Sequence, residues 1–106
     1  MVYTIDEIKE KVAPIAKKYN IEKVWLFGSY ARGEANEDSD VDLLLDYTRL
    51  TGGLFAYGGV YVDFEECFEK GVDIVAQKAM EQSRNESKGD MYFYNCVMKD
   101  RVLIYG

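Results

Sequence analysis

Apolar residues recur along the chain with two periods, one typical of helices and one typical of strands. After Thr4 they return every three or four residues as far as Tyr19, which predicts an amphipathic helix. Thr4 with Glu7 three positions later is the pattern of a capping box, so the helix is expected to begin there and to end near Asn20. Pro14 lies inside this helix and is expected to kink it, because proline cannot donate the helical hydrogen bond.

Short apolar runs bounded by glycine or polar residues predict four strands. These are Val24–Phe27, Asp40–Asp46, Val72–Ala76 and Val102–Tyr105. A helical pattern at Val60–Lys70 predicts a second long helix, with Gly71 as its C-cap. We expect its inner face to consist of Val62, Phe64, Cys67 and Phe68. A last helix is predicted at Glu86–Lys99.

The connecting segments differ in character. Gly28–Gly33 is short enough for a tight connection with helical turns, and Glu34–Ser39 is polar and predicts a solvated loop. Thr51–Gly59 carries four glycines, and its pattern does not define an element. Helices otherwise alternate with strands, which predicts an α/β or α+β architecture with a small mixed sheet flanked by helices. At 106 residues we expect one compact domain spanning 1–106.

Composition narrows the possible functions. The formal net charge is −6, which disfavours binding to a nucleic-acid backbone, because such binding needs a surplus of Lys and Arg. An anionic nucleotide stays possible, since a bound metal supplies positive charge locally. No apolar stretch reaches the roughly 20 residues that span a bilayer, and the N-terminal residues do not form a signal peptide. We therefore expect a cytoplasmic protein without membrane contact.

The chain contains no histidine and only two cysteines. Without histidine it cannot use a Ser-His-Asp triad, a Cys-His nucleophile or a His-ligated zinc site. Cys67 and Cys96 are far apart in sequence and are expected to be small buried side chains rather than a disulfide, as is usual in a reducing compartment. Catalysis must therefore depend on carboxylates, amines, guanidinium groups, hydroxyls or a metal.

One spacing of small and acidic residues points to phosphate chemistry. Gly28 and Ser29 follow the first predicted strand, where a glycine permits close approach of a ligand to the backbone. Backbone N–H groups at the following helical turn, with the Ser29 hydroxyl, can bind phosphate oxygens. Ten residues later, Asp40 and Asp42 lie two apart on a strand, so their carboxylates point to the same side.

A third acidic residue, Asp73, stands between apolar residues in the third predicted strand. A buried lone carboxylate is costly, and three carboxylates close together repel one another. A divalent cation removes both problems, and ligands that are all oxygen suit Mg²⁺ or Mn²⁺. Arg32 is a candidate phosphate ligand, although it could equally be a surface arginine, and Asp46 is expected to be a solvated residue at the strand end. Each feature taken singly has an ordinary structural explanation, whereas their combination does not.

The stretch Gly28–Leu45, together with Val72–Val75, closely resembles the minimal nucleotidyltransferases of the DNA polymerase beta superfamily. The resemblance implies a compact nucleotidyltransferase fold, ATP as substrate and two magnesium ions, with manganese as a substitute. It also implies that Asp40, Asp42 and Asp73 are metal ligands and catalytic residues, and that Gly28 and Ser29 bind the triphosphate. Members of this family commonly act as antitoxins of HEPN-domain ribonuclease toxins, and some transfer AMP to a tyrosine of the toxin.

The resemblance therefore implies an ATP-dependent protein adenylyltransferase that inactivates a HEPN-domain toxin by modifying a tyrosine hydroxyl. The predicted elements use nearly all of the chain, so we expect the acceptor to be presented by another protein rather than by a second domain. Two alternatives stay open. The chain could neutralise its partner by binding alone, or it could transfer a nucleotide to a small molecule with the help of a separate substrate-binding subunit.

Overall fold

The computed structural model describes residues 2–46, 53–76 and 88–106. Helices and strands alternate along these ranges. The elements are α1 (Ile5–Tyr19), β1 (Lys23–Phe27), α2 (Gly28–Arg32), β2 (Val41–Asp46), α3 (Gly53–Phe68), β3 (Val72–Ala76), α4 (Lys88–Asp100) and β4 (Val102–Tyr105). All four predicted strands are present within a residue of their expected bounds.

The four strands form one mixed sheet in the order β3-β2-β1-β4. β1 pairs antiparallel with both β2 and β4, whereas β2 and β3 run parallel. A parallel pair needs a crossover connection, and α3 lies within that connection. The register aligns Val41 with Val72 and Asp42 with Asp73, so the first residues of β2 and β3 lie side by side.

Apolar side chains cover both faces of the sheet. On one face α1 and α3 pack against β1 and β2, and the fully buried residues include Ile8, Val12, Val60, Phe64, Leu26 and Leu43. On the other face Val97 of α4 packs against Trp25, Phe27 and Leu44. Alternate residues of β2 thus serve opposite layers, as the two-residue period of a strand requires. The mixed sheet flanked by helices confirms the predicted fold class.

The first helix agrees with its sequence signals. The Glu7 backbone N–H donates to Thr4 Oγ1 at 3.1 Å, and the Thr4 N–H donates to Glu7 Oε1 at 2.9 Å, so the capping box is formed. Asn20 ends the helix in the left-handed region with φ 57°. Pro14 lies within this single helix.

Three predictions about α3 are wrong. The helix begins by Gly53 rather than at Val60, and Val62 is 48% exposed instead of facing the core. Its buried stripe consists of Ala56, Val60, Phe64 and Phe68 at intervals of four, which places Val62 on the far side. Gly71 is not the C-cap, because the left-handed residue after the helix is Glu69, with φ 54°.

The remaining sequence predictions concern single residues and segment ends. Cys67 and Cys96 are free thiols, as expected, but both are only half-buried, and burial raises the pKa of the Cys67 thiol. Asp46 is half-buried at the end of β2 rather than fully solvated. Residues 51–52 of the glycine-rich segment and residues 86–87 of the last predicted helix lie outside the described residues. None of the helices within the described ranges is long and apolar enough to cross a membrane.

Candidate active site

The short helix α2 begins directly at the end of β1, and both of its ends depend on glycine. Gly28 has φ 73°, a left-handed conformation that other residues rarely adopt. A Cβ at this position would also overlap the carboxylate of Asp42, so glycine is required twice over. Gly33, with φ 74°, ends the helix, and its N–H donates to the carbonyls of Ser29 and Tyr30. Ser29 is thereby held within one turn of helix next to β2.

Three carboxylates lie where β2 and β3 begin. Asp42 and Asp73 are register partners on the two parallel strands, and their carboxyl groups are within hydrogen-bonding reach of each other. Asp40 immediately precedes β2, and its carboxylate lies against Gly71, where a Cβ would overlap it. The Val41 N–H donates to the Gly71 carbonyl at 3.0 Å, which joins the two strand entries. The structure therefore brings the three predicted acidic residues into one cluster.

Burial within this cluster differs from the sequence expectation. Asp73 is exposed in β3, at the edge of the described sheet. Asp40, just before β2, is exposed as well, whereas Asp42 is half-buried. The idea that Asp73 is a carboxylate stranded inside the core is therefore wrong. β3 lies at the edge of the described sheet, so its flanking apolar residues bury only partly and leave the Asp73 side chain in contact with solvent.

The electrostatics of the cluster centre on Asp42. Burial raises the pKa of Asp42 to about 6, and the hydrogen bond with Asp73 and the charges of Asp73 and Asp40 act in the same direction. The Arg32 guanidinium opposes this shift. Asp42 is therefore harder to ionise than a free carboxyl group, and a divalent cation beside it would favour the ionised form.

The donor set fits magnesium or manganese, since it consists of carboxylate oxygens with room for water and phosphate. Among the residues that the structure describes, no three acidic or thiol side chains already converge as formed ligands around one point. Binding of a metal at these carboxylates would require their side chains to rotate, and the exposed positions of Asp40 and Asp73 permit such rotation. The roles of these residues as metal ligands stay predictions.

Arg32 lies near the cluster at the end of α2, where it already has two acidic partners. Its Nε donates to Glu34 Oε2 at 2.8 Å, and a terminal nitrogen donates to Asp100 Oδ2 at 3.2 Å. These hydrogen bonds raise the pKa of Arg32, so the side chain stays cationic. A guanidinium has five N–H donors, which leaves donors for a phosphate. Arg32 also links α2 to the end of α4.

A pocket of about 300 Å³ adjoins these groups. It lies between α2 and α4, and its lining includes Phe27, Gly28, Arg32, Asp42, Cys96, Val97 and Asp100. The pocket therefore combines an apolar wall from β1 and α4 with the glycine, the cation and one carboxylate of the cluster. A second pocket of about 510 Å³ lies between α1 and α3 and includes none of these residues.

Sequence reasoning missed two contributors to this region. The sequence pattern marks Gly71 only as a helix C-cap, whereas its importance lies in the space that it leaves for Asp40. Asp100 reaches Arg32 across 68 residues, a contact that only the packing of α4 creates. The one sequence signal for the role of Gly71 is its position directly before the strand that carries Asp73.

Comparisons with known proteins point to one family of enzymes. The family model "Polymerase beta, Nucleotidyltransferase" matches residues 10–105. A Methanocaldococcus jannaschii protein, provisionally named a protein adenylyltransferase, is 34% identical over 76 residues, which cover 72% of this chain and 81% of that relative. The protein adenylyltransferase MntA of Thermococcus cleftensis is 33% identical over 70 residues, 62% of this chain and 66% of the relative.

A solved structure has the same fold. It contains a tri-AMPylated Shewanella oneidensis HEPN toxin in complex with an MNT antitoxin, and the match has a TM-score of 0.62. It covers 97% of this chain and 73% of the matched one at 16% identity, a level that shows the fold alone. The family resemblance read from Gly28–Leu45 is confirmed by the family model and the relatives, and so is the predicted class of enzyme.

Proposed function

We propose, since this chain belongs to the polymerase beta nucleotidyltransferase family, that it is an antitoxin that transfers AMP from ATP to a tyrosine hydroxyl of a HEPN-domain toxin. The observation that supports this proposal most directly is that β2 and β3 begin side by side. There Asp40, Asp42 and Asp73 form one acidic cluster, and Gly28 lies in direct contact with Asp42.

The residues of the chain divide into those that bind the nucleotide and those that hold the metal. Asp40, Asp42 and Asp73 would hold Mg²⁺, with Mn²⁺ as a substitute. When bound, the metal would supply positive charge at the attacking and leaving oxygens of the transfer. Gly28 and Ser29 would bind the triphosphate through backbone N–H groups and the Ser29 hydroxyl.

Two further roles concern charge and the proton. Arg32 would place its remaining N–H donors on a phosphate oxygen, while Glu34 and Asp100 hold the guanidinium in place. Asp73 is exposed in β3, the edge strand of the described sheet, where an incoming hydroxyl can reach it. It would accept the proton of that hydroxyl as the bond to the α-phosphorus forms and pyrophosphate leaves.

The identity of the acceptor is supported by the relatives. Two are named protein adenylyltransferases, one of them provisionally, and in the solved complex the HEPN toxin bound to the MNT antitoxin is itself AMPylated. Each of these is a property of those proteins, and it is extended to this chain here as part of the proposal.

The surface beside the cluster also favours a protein partner. Large apolar side chains of α3 are exposed, namely Phe55 at 94%, Tyr57 at 48%, Tyr61 at 43% and Val62 at 48%. Neighbouring exposed aromatic residues are typical of protein interfaces. The pKa of Tyr61 is raised, first by the charge of Glu65 and then by burial and a hydrogen bond to Glu65, with further contributions from Asp73 and Asp40. Tyr61 of this surface therefore lies within electrostatic range of the acidic cluster.

The test incubates the chain with α-labelled ATP, magnesium and a HEPN-domain toxin, and follows transfer of the label to the toxin. We expect Asp42→Asn to reduce transfer by at least about a hundredfold, because it removes one charge from the centre of the cluster. Asp38→Asn makes the same chemical change in the neighbouring exposed loop and should transfer normally. Undiminished transfer by Asp42→Asn would contradict the proposal.

The same assay separates catalysis from occlusion. If the toxin is neutralised without ATP and magnesium, and equally well by Asp42→Asn, the chain acts by binding alone. Intact-mass measurement of the toxin then shows no AMP unit. Dependence on ATP, together with a gain of one or more AMP units, supports the transfer reaction.

A further inference from the structure

Helix α2 carries Ser29 but is too short to be stable alone. Five residues make barely more than one helical turn, and isolated helices of that length do not persist in water. Its position must therefore be set by tertiary contacts. Two of these come from its own residues: Arg32 reaches Asp100 of α4, and Tyr30 inserts into the core beneath α1 and α3.

Tyr30 is the buried anchor of α2. Its side chain is only 4% exposed, and it packs within the same core cluster as Val41 and Phe68. The Tyr30 hydroxyl accepts a hydrogen bond from Lys70 Nζ at 2.8 Å. The same ammonium lies 5.2 Å from the centre of the Tyr30 ring. Lys70 is half-buried and lies two residues before β3. The contact therefore joins α2 to the segment that leads into β3.

Lys70 is also joined to the acidic cluster by its neighbour in the chain. Gly71 accepts the hydrogen bond of the Val41 N–H at 3.0 Å and leaves the space in which the Asp40 carboxylate lies. Asp73 follows two residues later. Lys70 thus links the helix that carries Ser29 to the segments that carry Asp40 and Asp73.

We propose that Lys70 and Tyr30 form a positioning pair, which sets the distance and rotation of the Gly28–Ser29 segment relative to the three carboxylates. This inference rests on the proposed function, because it assumes that the segment binds the triphosphate. Neither side chain needs to contact the nucleotide. Because Tyr30 directly follows Ser29 in the same short helix, a displacement of the Tyr30 backbone moves Ser29 as well.

The chain contains a second lysine–tyrosine contact that provides a matched control. Lys11 is half-buried, lies 5.3 Å from the ring centre of Tyr3 and donates to the Cys67 carbonyl at 3.4 Å. Like Lys70, it joins a helix to the region around the end of α3. Unlike Lys70, it contacts neither α2 nor the entries of β2 and β3. Loss of Lys11 should therefore disturb packing without moving the site.

The experiment compares Lys70→Met, Tyr30→Phe, their double variant, Lys70→Arg and Lys11→Met. Two quantities are measured for each: the dissociation constant of AMP-PNP with magnesium, and kcat/KM for ATP in transfer to the same HEPN-domain toxin as above. Each variant is first assayed by thermal unfolding, and all measurements are made at a temperature where it is fully folded.

We expect Lys70→Met and Tyr30→Phe each to weaken AMP-PNP binding and to lower kcat/KM on the order of tenfold, since small misplacements of binding groups have large effects. The double variant should lose no more than either single variant, because both break one contact. Lys70→Arg retains a donor and should stay close to the wild type. Lys11→Met should bind and react normally.

Three results would overturn the positioning pair while the proposed function stands. The first is unchanged AMP-PNP binding and kcat/KM in Lys70→Met, and the second is an equal loss of both in Lys11→Met. The third is a loss in the double variant that equals the product of the two single losses. Failure of the wild-type chain to bind AMP-PNP with magnesium would overturn the proposed function itself, and the positioning pair with it. The binding measurement therefore distinguishes the two failures.

Discussion

At the scale of single residues, the site depends on places where a side chain is missing. Gly28 and Gly71 each leave space that a carboxylate oxygen occupies, Asp42 in the first case and Asp40 in the second. A Cβ at either position would force the carboxylate or the backbone to move. Glycine is thus part of the geometry of the acidic cluster, beyond the flexibility that it gives to the chain.

Gly28→Ala and Gly33→Ala form a matched pair that tests this point. Both positions have positive φ, 73° and 74°, so alanine should cost about 1–2 kcal/mol of folding stability at each. Only at Gly28 would the new Cβ meet Asp42, whereas nothing lies within 4 Å of a Cβ at Gly33. We expect Gly28→Ala to abolish nucleotidyl transfer and Gly33→Ala to retain it.

Chemical denaturation and the transfer assay measure the two effects separately. If both variants lose activity in proportion to their loss of stability, close contact with Asp42 is not what Gly28 provides. If Gly28→Ala remains fully active, the close approach has no functional role.

At the scale of elements, the parallel pairing of β2 and β3 creates the electrostatic problem of the site. It places Asp42 beside Asp73, and packing beneath α4 half-buries Asp42. Burial and these neighbouring charges together raise the pKa of Asp42 to about 6. The fold therefore keeps Asp42 and Asp73 adjacent, which lowers the folding stability when both are ionised. This cost indicates a bound ligand that offsets it.

The pKa of Asp42 predicts how stability depends on pH in the absence of divalent cations. Its value of about 6 in the folded chain is above the ordinary value of 3.8, so the folded state binds the proton more tightly. This contribution is fully present below pH 4 and is lost as the pH rises through about 6. At pH 7 in EDTA, Asp42→Asn should therefore be more stable than the wild type, by about 1–2 kcal/mol after allowance for solvent screening.

Denaturant titrations at pH 5 and pH 7 measure this difference, with Asp38→Asn as the control for loss of one exposed charge. The advantage of Asp42→Asn should be smaller at pH 5, where the wild-type carboxyl is largely protonated. An advantage that does not change with pH would show that Asp42 titrates normally.

At the scale of the whole molecule, the site is assembled from segments far apart in sequence. β1 with α2, the entry of β2 and the entry of β3 each contribute a part, and α4 closes the pocket through Val97 and Asp100. Ligand binding should then stabilise the fold as a unit, because separating any of these elements destroys the site.

We expect magnesium with AMP-PNP to raise the Tm of the wild-type chain. At a ligand concentration of 100 times the Kd, the stabilisation is about 2.7 kcal/mol, which corresponds to roughly 10 °C or more for a domain of this size. Asp42→Asn should show little of this shift and Asp38→Asn all of it, as measured by thermal unfolding with and without EDTA. An equal shift in Asp42→Asn would place the nucleotide elsewhere.

Local sequence signals predicted most elements because each depends on neighbours in the chain. The capping box of Thr4 and Glu7 and the apolar runs of the strands needed no long-range information. Predictions that depended on packing were less successful. The sequence predicts Val62 in the core, because several faces of a strongly apolar helix look alike. Only the position of the sheet selects the residues that are buried, which are Ala56, Val60, Phe64 and Phe68.

The sequence by itself determined the chemistry that is available to this protein. The absence of histidine excludes histidine-based catalysis, and the spacing of Gly28, Ser29, Asp40 and Asp42 favours carboxylate and phosphate chemistry, because residue types set what a site can do. Only the tertiary structure decided the arrangement: Asp42 rather than Asp73 is the half-buried carboxylate, Gly71 makes room for Asp40, and Lys70 reaches Tyr30. These follow from strand order and helix packing, which join residues about 30 to 40 positions apart, beyond the range of any local pattern.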